Sequence, residues 1–172
     1  KVFDYSNEFL SEIIEHLISL KVQNLSKNNE FTNQLKTLLG KSIENEEFKA
    51  LINLKDQEFK EKINSKFLES RNERIKILNE DKAKEIEKRI FLQYIDLNWK
   101  SHIQYLEQLR QVIGLRSYGQ RDPLVEYKKE AFNLFENLLN KLKIDFVTML
   151  INLKIVQEQN TENNSFKKSE IE

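Results

Sequence analysis

The sequence predicts an all-α fold: a small helical bundle continuous with a long antiparallel two-helix hairpin. Three observations predict it. Glycine and proline are scarce, three and one in 172 residues, so little interrupts a helix. Charged residues make up 33% and hydrophobic ones 39%, the balance of amphipathic helices with broad solvent faces over a thin core. Apolar residues recur at steps of three and four along most of the chain.

Taken in order, Ser6 is placed to cap a first helix whose apolar face is Leu10, Ile13, Ile14, Leu17 and Leu20. Residues 22–29 are polar and read as a loop. Phe31, Leu35, Leu38 and Leu39 mark a short helix that ends at Gly40, a residue suited to the backbone turn that stops a helix. Ser42 and Asn45 compete to cap the next helix, with Phe48, Leu51 and Ile52 facing inward. Phe59, Ile63 and Phe67 mark a longer helix that starts near Asp56. It runs into a charged stretch, 69–84, either as one helix or with a kink at 79–81. On this reading residues 1–75 form a bundle of four short helices, joined to the hairpin through a helix rather than a tether.

The hairpin is clearest. In its first arm Phe91, Ile95, Trp99, His102, Ile103, Leu106, Leu109 and Ile113 share one helix face. In its second arm Phe132, Phe135, Leu139, Leu142, Phe146, Met149, Leu153 and Val156 alternate steps of three and four. That is the 3.5-residue period of a coiled-coil seam. Between the arms, residues 114–123 form a punctuated turn. Gly114 and Gly119 loosen the backbone, Asp122 suits an N-cap, Pro123 the first helical position, and Glu126 the positive end of the helix dipole. Each arm is roughly 33 residues and so roughly 50 Å long. A second stripe on each arm, Ile90, Tyr94 and Leu97 against Tyr127, Ala131, Leu134 and Leu138, calls for a third surface beside the seam. From about residue 157 the pattern fails, and 158–172 read as a disordered tail.

Composition excludes several functions. Net charge is zero, so no bulk attraction to nucleic acid or anionic lipid is implied. No cysteine is present within the span, which fits a reducing compartment and leaves out disulfides and cysteine-bound zinc. His16 and His102 are too far apart in sequence to suggest a metal site. No glycine-rich phosphate loop, G-x-S-x-G or H-E-x-x-H occurs, so this span is expected to carry no nucleotide site, no cofactor and no catalysis of its own. A first residue other than Met reads as a piece cut from a longer protein. The turn stands apart. Arg110, Arg116, Arg121, Lys128 and Lys129 gather there, and Tyr118 sits at its tip. That ring either folds back on Leu115 or Leu124, or meets another molecule, which an amphipathic aromatic grips well.

Three motifs carry a resemblance. W-x-x-H at Trp99 and His102, L-R-x-Y-x-Q-x-D-P over 115–123, and E-Y-K-x-E-x-F over 126–132 resemble the C-terminal part of the SecA preprotein translocase motors. The match is dense over about 85–157; over 1–75 it rests on position and helix pattern. The resemblance implies a helical wing at 1–75 and a helical scaffold with a two-helix finger at 76–157. It implies that the tip aromatic, Tyr118, touches the polypeptide in transit, with Gln120 beside it. Arg121 would meet the chain or the SecYEG channel, and Arg116 and Asp122 would shape the loop. Ser117 and Gly119 stand where many members carry Gly and Ala. The full-length family uses ATP and Mg, acts on preproteins through SecYEG, and works at the cytoplasmic face of the bacterial inner membrane. Its scaffold docks on the motor domains and restrains their ATP turnover. The competing expectation, from the residues alone, is a stand-alone helical adaptor that dimerises through its apolar stripes.

Overall fold

The computed structural model describes residues 1–23, 29–40, 43–115 and 122–155. Its elements are α1 (Val2–Gln23), α2 (Glu30–Leu39), α3 (Asn45–Asn53), α4 (Asp56–Leu78), α5 (Glu80–Ile113) and α6 (Pro123–Asn152), with no strand among the described residues. The all-α architecture is as expected; several details differ.

Helix α1 starts four residues ahead of the expected cap. Ser6 lies inside it, with its hydroxyl backed onto the carbonyls of Val2 and Phe3 at 3.0 and 3.1 Å. The physical reason is a demand from elsewhere: Arg71 Nη2 donates to Ser6 Oγ at 2.6 Å, which fixes this serine in the interior. Val22 belongs to α1 rather than to a loop. Helix α2 ends as predicted at Gly40, at φ +50°. That backbone suits glycine, and a Cβ there would also meet Asn152 Oδ1 at 2.8 Å. Asn152 Nδ2 donates to the Leu38 carbonyl at 3.1 Å, so the end of α2 is stitched to the end of α6. Helix α3 is preceded by Glu44, and Asn45 is its first helical residue; Ser42 lies outside the described residues. Glu46 and Glu47 supply the first-turn negative charge that the helix dipole favours.

The core joins both ends of the chain. Leu10, Ile14 and Leu17 of α1, Leu35, Leu38 and Leu39 of α2, Leu51 of α3 and Phe59, Ile63 and Phe67 of α4 close around Phe146, Val147, Leu150 and Ile151 of α6. Burying each such side chain contributes about 1.5–3 kcal/mol. Phe91 of α5 packs on Phe146 with ring centroids 4.8 Å apart, and Phe9 of α1 completes the aromatic group at 6.0 and 6.5 Å. The base of the hairpin is therefore built into the bundle.

The passage from bundle to hairpin is a one-residue elbow, not a continuous helix. Asn79 takes φ +69°, the only positive φ among the described non-glycine residues. Its N–H closes α4 by donating to the Ile75 carbonyl at 2.9 Å, and its Oδ1 opens α5 by accepting from Lys82 N at 3.1 Å. Asparagine tolerates this conformation because its short amide bonds locally. Arg71 and Glu87, equally distant in sequence from Asn79, meet at 3.4 Å. An unbroken helix would hold them roughly 24 Å apart, so the chain doubles back sharply.

Candidate functional site

Helices α5 and α6 pair along their lengths, the hairpin the sequence predicts, and Asp122 caps the start of α6. The Asp122 carboxylate accepts from Leu124 N at 2.8 Å, its carbonyl accepts from Glu126 N at 3.1 Å, and Pro123 opens the helix. Of the other turn residues singled out, Arg116, Tyr118, Gln120 and Arg121 lie outside the described residues. The flanking Leu115 and Leu124 are both exposed. Further down α5, Arg110 pairs with Glu107 at 2.9 Å, and this contact draws the exposed Glu107 carboxyl below its ordinary range.

The facing side chains match the predicted seam only in part: His102, Leu109, Ile113 and Phe146 are buried as expected, and others are not. Asn98, His102, Leu109 and Ile113 of α5 are buried, while Trp99 is 49% exposed and Ile103 is similarly open. On α6 the partly buried stripe is Tyr127, Ala131, Leu134 and Leu138. Phe132, at 60% exposed, and Phe135 and Leu139 stand outside it. A straight helix has 3.6 residues per turn, so a 3.5-residue repeat drifts around its axis by about 20° per heptad. At the base the seam residue Phe146 faces the bundle core; toward the turn the same line has rotated off the partner helix. On one flank Trp99 and Phe135 stand against the buried His102 ring, with centroids 5.6 and 6.0 Å away from it. The other flank is a groove of about 340 Å³ lined by Tyr94, Leu97 and Tyr105 of α5 and Leu134 and Leu138 of α6.

At the base lies a buried ionic knot that sequence reasoning missed. Glu87 is fully buried and accepts from Arg74 Nη2 at 2.9 Å and, more loosely, from Arg71 at 3.4 and 3.5 Å. Arg71 also donates to Asn7 Oδ1 at 2.8 Å and is sandwiched between the Phe3 and Phe67 rings. Arg74 Nη1 donates to Ser70 Oγ and to the Leu150 carbonyl, both at 2.7 Å. Burial lowers the Arg71 pKa, and Glu87 opposes that shift. Two guanidiniums share one carboxylate, and Arg74 Nε has no hydrogen-bond partner. The signal in sequence was faint: Arg71 and Arg74 are three apart on one helix, inside a charged run that resembles any solvated face.

Among the described residues no cluster of His, Cys, Asp or Glu could hold a metal ion, and no helix is long and apolar enough to cross a membrane.

Comparison with known proteins gives this arrangement a family. The SecA Wing and Scaffold domain matches residues 1–154. The protein translocase subunit SecA of Pelagibacter ubique (strain HTCC1062) is 84% identical over 160 residues, 92% of this chain and 19% of that protein. Subunits of the same name from Caulobacter vibrioides and Campylobacter concisus are 42% and 43% identical over 124 and 123 residues, covering 72% and 70% of this chain and 13% and 14% of theirs. The chain thus spans about a fifth or less of the relatives it matches. It belongs to the SecA wing and scaffold domain family.

Proposed function

We propose that this chain is the mechanical arm of an ATP-driven protein translocase. Residues 1–75 act as the wing, 76–157 as the scaffold and finger, and 158–172 as a tail. The turn carries Tyr118 against the polypeptide in transit, with Gln120 beside it. Arg121 meets the chain or the SecYEG channel, while Arg116 and Asp122 hold the loop in shape. The scaffold reports to motor domains elsewhere in the full-length protein, which bind ATP and Mg at the cytoplasmic face of the bacterial inner membrane.

The observation that carries this reading is the paired arms. From Glu87 in the base, α5 runs roughly 40 Å to its last residue, and α6 returns to the same core. The ends of the two arms, Ile113 and Pro123, therefore lie well away from the bundle core, where another molecule can be met. The relatives' shared name, protein translocase subunit, supplies the process. The exposed flank at Trp99, Ile103, Phe132 and Phe135 suits a stem that docks on further domains.

A photocrosslinker at position 118 in the full-length subunit, tested with a stalled secretory substrate and the channel, should yield a substrate adduct. Tyr118→Gly should impair transport strongly while helicity stays unchanged. Transport equal to the parent's would reject the tip contact.

A further inference from the structure

We propose that Arg74 is a positioning residue: its single buried guanidinium fixes the axial register of α5 against α6 at the base of the hairpin. Arg74 sits on α4 and is 1% exposed. It bonds both arms at once. Nη2 donates to Glu87 of α5 at 2.9 Å, and Nη1 donates to the Leu150 carbonyl of α6 at 2.7 Å. That carbonyl lies in the last turn of α6, where it has no partner within the helix, so the bond marks a particular height on the α6 axis. Ser70 holds the same acceptor at 3.0 Å and also accepts from Arg74, which keeps the fork oriented.

Register needs such a device because the stem supplies little of it. No residue of α6 between 123 and 145 is buried, and α5 buries only Asn98, His102, Leu109 and Ile113 beyond the base. Loosely packed helices slide past one another in steps of their own ridges. A planar guanidinium with donors in a fixed fork is suited to hold two acceptors at one spacing; an ammonium is not. The knot is also a costly way merely to stabilise a fold. It buries two cations against one carboxylate and leaves Arg74 Nε unpartnered, where an apolar contact would serve better. The proposal relies on the finger reading only for its consequence at the turn.

The test reads register directly, in the full-length subunit with spin labels at Lys100 of α5 and Glu136 of α6. Both positions are exposed, and this span holds no cysteine to compete for label. The parent should give one narrow distance distribution. Arg74→Met leaves Arg71 to neutralise Glu87, so the buried charges balance and the helices stay folded. Arg74→Lys keeps the charge but loses the fork. Both variants should show added populations, displaced by sliding of about 1.5 Å for one residue up to about 5.4 Å for one turn. Helicity should match the parent's. A single parental distance in either folded variant overturns the proposal, even if its Tm has fallen. Loss of helicity in Arg74→Lys also overturns it, since Arg74 is then a general stabiliser. A missing Tyr118 adduct leaves these distances untouched, so the two readings fail separately.

Discussion

Phe146 and Phe132 sit on the same helix, two heptads apart, on the same predicted seam. The first is fully buried; the second is 60% exposed. Their spacing is identical in kind, and their surroundings decide the outcome. At the base, α6 is enclosed by α1, α2 and α4 as well as α5. In the stem it has α5 alone on one side, and a single partner cannot cover a stripe that drifts around the helix. Periodicity specifies a face, and the number of neighbouring elements specifies how much of that face is covered. The base of this molecule is a finished core, whereas the stem is a pair of helices covered on one side only.

The largest expected effect tests that contrast directly. Phe146→Ala removes a ring that packs on Phe91 and Phe9 and should cost about 4 kcal/mol of stability, the range for buried aromatic truncation. Phe132→Ala, in the open stem, should cost under about 0.5 kcal/mol. Denaturant unfolding of the two variants side by side measures the difference. Similar losses would mean the stem is as fully packed as the base, and the contrast would be wrong.

A second, smaller effect asks whether the base is held by ions as well as by rings. Glu87→Gln keeps the shape of the side chain but leaves Arg71 and Arg74 without a buried counter-charge. Removing one member of a buried pair in this way should cost about 3 kcal/mol, the lower end for such breaks. Thermal unfolding at neutral pH reads it. A loss no larger than that of a surface substitution would show that the knot contributes little to joining α4 with α5.

Much of this fold is legible in the sequence. The three-and-four spacing marks the helical segments but leaves open whether α4 and α5 are one helix, and Gly40, Asp122 and Pro123 mark ends that the structure keeps. The elbow was harder. A kink at 79–81 is one of two readings, and choosing it over an unbroken helix depends on Arg71, Arg74 and Glu87 meeting across Asn79, a contact between residues far apart in sequence. Ser6 failed as a cap for the same reason, because its partner Arg71 lies on another helix. The burial of Arg71, Arg74 and Glu87 could not be read from a charged run, since composition there describes a solvated face. At the turn, the motif around Tyr118 was legible as a family resemblance, and of its residues Asp122 is the one whose bonds are described.

The smallest expected effect isolates what burial does to an otherwise similar cluster. Glu47 of α3, like Glu87, faces two cations: Lys66 Nζ at 3.0 Å and Lys62 Nζ at 3.5 Å. Its side chain, however, is 36% exposed. The hydrogen bond from Lys66 holds the Glu47 carboxyl below its ordinary value of 4.5. A carboxyl whose pKa is depressed on folding adds stability above its unfolded value, and that stability is lost as pH falls through the folded value. Glu47→Gln should therefore be less stable than the parent at neutral pH, by about 0.5 kcal/mol after solvent screening. The gap should close as the pH drops below 4.5, and Tm measured across that range follows it. If Glu47→Gln instead cost as much as Glu87→Gln, the count of charges rather than their enclosure would set the energy. The ionic knot would then hold the base no more firmly than a surface pair.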